Sequence, residues 1–185
     1  MYLTGVGLGD PPGAGLDGRY FGESTRVAIP PSTVTIYITV EGTKQGKFKG
    51  ESPGTQFKDQ SRVLKFSYSV VSPRDVSTGL ASGKRQHKPI VVTREPDAAS
   101  PQFFTALVTN EVLKSVVIRF WRVKSSGVSE IQQIITLTNA SISEFRQHVG
   151  DDGRWLEDVA FAFEQIRIEN TPSATTAVDS WLVGR

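Results

Sequence analysis

Apolar residues in this chain recur at every second position, and that period constrains the fold class more than any other feature. Val34, Ile36, Ile38 and Val40 alternate with Thr33, Thr35, Tyr37 and Thr39. Leu64, Phe66, Tyr68 and Val70 alternate with Lys65, Ser67 and Ser69, and Val116, Ile118 and Phe120 with Val117, Arg119 and Trp121. Val159, Phe161 and Phe163 alternate with Ala160 and Ala162. Successive side chains of a strand point to opposite faces, so each run reads as a strand with one face toward a core. In Ile131, Gln133, Ile135 and Leu137, interleaved with Gln132, Ile134, Thr136 and Thr138, both parities hold apolar residues. That strand is expected to be covered on both faces, with residues 139–145 extending it or bending into a neighbour. At Glu164 and Gln165 the phase slips, because Ile166 and Ile168 fall on the other parity. Such a slip predicts a bulge or a strand that crosses between sheets.

One stretch has a different period. Ser100 can cap a helix and Pro101 suits its first position, where the missing N–H had no partner. Phe103, Phe104, Leu107 and Val108 then fall at helical spacing and give that helix one apolar side. Ile90, Val91, Val92 and Thr93 before it read as a short strand. About six or seven strands with one short helix make a mainly β fold, a barrel or sandwich with the helix laid on one side.

Residues 1–32 are rich in Gly and Pro, among them Gly5, Gly7, Gly9, Pro11, Pro12, Pro30 and Pro31. Such a segment buries little and is expected to be a flexible arm. Gly5, Gly7 and Gly9 have no strand before them and no helix after them, so a phosphate loop is a poor reading. Residues 33–185 are then the folded domain. No run of ~18 apolar residues exists to insert in a membrane. Residues 1–10 lack the basic start and long apolar run of a Sec-type signal, so export would need another route. The chain has no Cys, which removes disulfides and thiolate chemistry. Its net charge of +2 argues against a dedicated nucleic-acid binder.

The catalytic inventory is thin. His87 sits in a basic loop that offers no neighbouring carboxylate to orient it; His148 precedes a turn near Asp151 and Asp152. No Gly-x-Ser-x-Gly elbow is present. Asp151, Asp152 and Gly153 resemble a fragment of a calcium loop, but the alternating ligands and terminal Glu are missing, so a solvated turn is expected. Glu157 and Glu164 pair as carboxylates only by assumption. No catalytic, cofactor-binding or metal-ligating residue is assigned. The sharpest feature is the basic run Lys84, Arg85, Gln86, His87 and Lys88, which ends a long polar loop, residues 72–88. Loops of that length are usually functional or disordered. From the residues alone, three readings stay open for it: a solvated surface loop, a phosphate or nucleic-acid contact, or a docking contact to a carboxylate-bearing surface of another subunit. The apolar Trp181, Leu182 and Val183 should pack back on the domain or meet a partner.

Ser82-Gly83-Lys84-Arg85-Gln86-His87-Lys88-Pro89, then a strand, Ala99-Ser100-Pro101 before a short helix, and Phe120-Trp121-Arg122 closing a strand together resemble the haemolysin-coregulated protein (Hcp) family. Lys49-Gly50-Glu51-Ser52, Leu137-Thr138-Asn139-Ala140 and Glu157-Asp158-Val159-Ala160-Phe161 extend the resemblance, and Asp179-Ser180-Trp181 is a partial match to the family's ending. The resemblance implies a tight β-barrel of two sheets with one lateral short helix, assembling as a ring. It implies a non-enzymatic subunit of the inner tube of a type VI secretion machine. Hexameric rings would stack into a hollow tube that is built in the cytoplasm and then exported without a Sec-type signal. Implied partners are further copies of itself, sheath proteins, a spike protein of the VgrG type, a baseplate and effector cargo. Neither nucleic acid nor membrane insertion is implied. By the same resemblance, residues 72–88 are the loop that reaches the next ring, with Lys84, Arg85, Gln86, His87 and Lys88 as contacts and Arg74 and Asp75 beside them. A tube protein of another contractile injection system or phage-tail-like particle, or a cargo-binding export chaperone, are the alternatives. A hydrolase and a nucleic-acid-binding barrel stand behind them. The resemblance implies nothing about the arm, residues 1–32.

Overall fold

The structure, a computed structural model, describes residues 34–52, 57–124 and 126–181. The expected arm at residues 1–32 and the apolar pair Leu182 and Val183 lie outside them. The first alternating run forms β1 (Val34–Gly42). Short strands follow: β2 (Gly46–Lys47), β3 (Ser61–Val63), β4 (Lys65–Ser67), β5 (Val70–Val71), β6 (Gln86–His87) and β7 (Ile90–Arg94). Helix α1 (Ser100–Val108) leads to the long strands β8 (Leu113–Val123), β9 (Ser129–Val149) and β10 (Trp155–Asn170), and to β11 (Thr175–Ser180). No helix among the described residues is long and apolar enough to cross a membrane.

Nine strands make one sheet in the order β2-β1-β8-β9-β10-β7-β4, with β3 added on β1 and β11 on β10. Only Leu64 separates β3 from β4, yet β3 pairs β1 and β4 pairs β7. One short segment thus joins the two ends of the sheet and closes it into a barrel, leaving no long open edge along that seam. The second sheet is the two-stranded ribbon β5-β6. The mainly β barrel of two sheets with one short helix is therefore present.

The alternation sets the interior. Ile38, Val40, Val116, Ile118, Ile135, Leu137, Val159 and Phe161 are buried in one cluster. Tyr37, on the opposite parity of β1, is also buried. Phe57 covers it with stacked rings 4.1 Å apart and in turn meets Trp121 edge-on, a second apolar layer that the alternation did not show. β9 runs unbroken through the region where an extension or a bend was open. Asn139 at φ 49° lies within it, and Ser143 is skipped between the pairs Ala160↔Glu144 and Phe161↔Ile142.

The phase slip has a cause in the pairing. One edge of β10 pairs β9 along nearly its whole length. Its other edge pairs β7 over Glu157 to Phe161 and then β11 over Gln165 to Asn170. Phe161 and Phe163 face the barrel core; beyond the change of neighbour it is Ile166 that turns inward. The pairing with β9 keeps its register through Glu164 and Gln165, and β7, β9 and β11 all belong to one sheet. The slip therefore marks a change of neighbour within that sheet, neither a bulge nor the expected crossing between sheets.

The helix begins differently from expectation. Ala99 holds the N-cap position, with no side-chain cap bond. Asp97 Oδ1 accepts from the Ala99 N–H at 2.8 Å instead. The Ser100 hydroxyl is needed elsewhere: it accepts from the Asp97 N–H and donates to Glu157 Oε1. The buried side of α1 is also rotated from the expected one. Phe103 and Ala106 face the core and Leu107 packs against it, whereas Phe104 and Val108 are exposed. Phe104 lies against Phe145 of β9 at the helix flank.

Candidate functional site

The loop at residues 72–88 is an ordered ribbon. Its root is the antiparallel pair β5-β6, with Val70↔His87 and Val71↔Gln86 in register. Arg74 bridges Ala81, the Ser82 N–H donates to Pro73 O, and the Asp75 N–H donates to Leu80 O. At the tip, Asp75 Oδ1 accepts from the backbone N–H groups of Ser77 and Thr78 at 3.0 and 2.8 Å and from both of their hydroxyls. Those donors, the Ser77 hydroxyl first, hold the Asp75 carboxyl down to about 2. Asp75 is thus a turn former. Arg74 Nη1 donates to Gly79 O and ties the same turn. Val76 and Leu80 stand exposed at the tip, an apolar pair that the charge-based reading passed over.

At the root, the expected basic contacts divide. Lys84, Gln86 and Lys88 are exposed. Arg85 and His87 turn back onto the barrel. The Arg85 guanidinium donates to both carboxylate oxygens of Asp179 in β11 and to the Ser180 carbonyl. His87 Nε2 lies 2.8 Å from Asp179 Oδ2, and its Nδ1 lies 2.7 Å from the Tyr68 hydroxyl. Edge contacts from Phe163 and Trp181 and a parallel ring from Tyr68 enclose the imidazole, whose side chain is 5% exposed. The expectation that His87 has no carboxylate to orient it is therefore corrected: the carboxylate comes from a strand 92 residues away in sequence. Trp181 meets the domain through this contact while about half of it stays exposed.

This constellation is a fastener. Arg85 beside Asp179 lowers the pKa of that carboxyl, and His87 adds to the effect. Burial, with Asp179 nearby, raises the Tyr68 hydroxyl, so it stays protonated. A carboxylate only accepts, so the contact to Asp179 Oδ2 is donated by the His87 Nε2–H. A hydroxyl held protonated is not an activated nucleophile.

The other candidate groups separate likewise. His148 Nδ1 is 3.7 Å from Asp158 Oδ2 rather than beside Asp151 or Asp152, because the β9-β10 register sets it opposite Leu156, two residues from Asp158. Asp152 pairs with Arg154 within its turn. Glu157 is fully buried and faces Arg94 Nε at 3.1 Å, while Glu164 accepts from Asn139; the two carboxylates form no pair. Arg94, itself fully buried, also binds Asp97, Ser61 and the Phe103 ring face. Sequence reasoning missed this cluster because charged residues are rarely buried without partners, and its partners lie on separate elements.

Residues 37–169 match the family described as "Type VI secretion system effector, Hcp". The "Major exported protein" of Pseudomonas aeruginosa (strain PAO1) is 33% identical over 161 residues, spanning 78% of this chain and 94% of that protein. The crystal structure of an Hcp protein superimposes with a TM-score of 0.76 at 26% identity, over 80% of this chain and 99% of the other. The secreted protein Hcp3 of Pseudomonas aeruginosa does so with a TM-score of 0.68 at 29% identity, again over 80% and 99%. With the barrel, the lateral helix and the projecting ribbon in place, the chain belongs to the Hcp family, the tube proteins of type VI secretion.

Proposed function

We propose that the chain is a ring-forming, non-enzymatic subunit of a type VI secretion tube. Hexameric rings of residues 33–185 stack into a hollow tube, and residues 1–32 are an arm appended to it. The tube assembles in the cytoplasm and is then exported, with sheath, spike and baseplate proteins as its assembly partners and effector cargo in its lumen. The observation that carries this reading is the ribbon at residues 72–88, ordered to its tip yet projecting from a closed barrel. A contact between one ring and the next joins different surfaces of two copies and does not close, so it repeats as a filament. The ribbon supplies such a surface, with Arg74 and Asp75 shaping its tip and Lys84, Gln86 and Lys88 exposed along its return; Arg85 and His87 hold its root.

Negative-stain electron microscopy with light-scattering mass tests it. Six-fold rings with an open centre that stack into tubes are expected, and deleting the ribbon should leave rings that no longer stack. Monomers at high protein concentration, or tubes unaffected by the deletion, would sink the reading.

A further inference from the structure

The ribbon is held where it is by a carboxylate outside it. A two-stranded ribbon is marginally stable alone in water, and this one does not lie flat on the barrel. A cleft of about 520 Å³ lies between its root and β10-β11, lined by Val70, Ser72, Ile166, Ile168 and Val178. Across that gap, Arg85 and His87 reach from the ribbon's return strand to Asp179. An isolated surface ion pair orders little. Here the arginine fork engages both oxygens, the imidazole adds a donor, and Ser180 O accepts from the same guanidinium, a geometry that fixes direction as well as distance. Trp181, the next residue, closes over the imidazole.

We infer that Asp179 is a positioning residue for the ring-to-ring contact: by holding Arg85 and His87 it sets the direction in which residues 72–88 leave the barrel. The C-terminal strand β11, which pairs only with β10 among the described strands, thereby acts as the strut of the stacking ribbon. The inference rests on the stacking reading above for its consequence, and on the contacts themselves for its mechanism.

The test uses the full chain and the variant Asp179→Asn, which keeps the shape of the side chain and removes its charge. Hydrogen exchange of ribbon amides, including those of Asp75, Gly79 and Lys88, should quicken by roughly tenfold or more as the root frays. Ring mass and the exchange of β8 and β9 should not change, and tubes seen by electron microscopy should shorten several-fold. Arg85→Gln should act in the same direction, and the double variant should loosen the ribbon by less than the sum of the two single changes, because they share the Arg85–Asp179 contact. Unchanged ribbon exchange would overturn the inference, and so would faster exchange with tubes of full length. If the unaltered protein forms rings that never stack, the stacking reading falls, and ribbon exchange alone decides whether Asp179 holds the ribbon.

Discussion

Two arginine–carboxylate clusters use the same chemistry at opposite depths. Arg94 and Glu157 are fully buried and gather Asp97, Ser61 and Ser100 around them. Arg85 and Asp179 have side chains 39% and 30% exposed. The inner cluster ties the end of β7, the start of α1 and β10 into one unit. The outer one ties a projecting ribbon to an edge strand. A buried charge that loses its partner has no water to replace it, whereas an exposed one does. The inner pair should therefore govern whether the domain folds, and the outer pair where one part of it points.

The largest expected effect breaks the inner cluster. Arg94→Met leaves Glu157 and Asp97 without their cation and should cost about 3–5 kcal/mol of unfolding free energy, read from denaturant midpoints. A loss no greater than that of Asp179→Asn would show that depth is not what distinguishes the two clusters. Next comes Ser100→Ala, which removes the hydroxyl bridging the Asp97 N–H and Glu157; about 1–3 kcal/mol is expected for the buried groups left unpaired. Asp179→Asn should move the midpoint only slightly while loosening the ribbon, so the ratio of local to global effect is the sharpest measure of the contrast.

The two clusters also differ from the rest of the fold in how far the sequence reveals them. Alternation identified β1, β8, β9 and β10 because period-2 burial is local information. The slip after Phe163 was legible for the same reason: one strand changes its neighbour, and its inward parity changes with it. Helix α1 was found, but with its face misjudged. Phe104 is large and Ala106 small, and a count of large apolar residues favours the wrong one of the two. Neither arginine cluster is local. Asp179 lies 94 residues from Arg85, and Glu157 meets Arg94 only because β10 pairs β7. The basic run marked the right segment for notice, yet two of its five members face inward, since nothing in a charge run states which charges already have partners.

The smallest expected effect is in pH, and it separates the clamp from a mere surface attraction. Asp179 faces Arg85, His87 and the Tyr68 hydroxyl; the Arg85 hydrogen bonds, opposed by some desolvation, lower its pKa. A carboxyl lowered in the folded state contributes fully above its ordinary range, and the contribution is lost as pH falls through the lowered value. Tubes of the unaltered protein should therefore outlast those of Asp179→Asn at neutral and mildly acid pH. The difference should persist down to about pH 4, where ordinary aspartates protonate, and close only below it, when Asp179 itself becomes neutral and the two proteins carry equivalent side chains. Light scattering of tube suspensions across pH measures this. A difference that closes well above the ordinary aspartate range would mean that the attraction holding the ribbon is lost through a group other than Asp179, and the comparison between the clusters would then have to be drawn around that group.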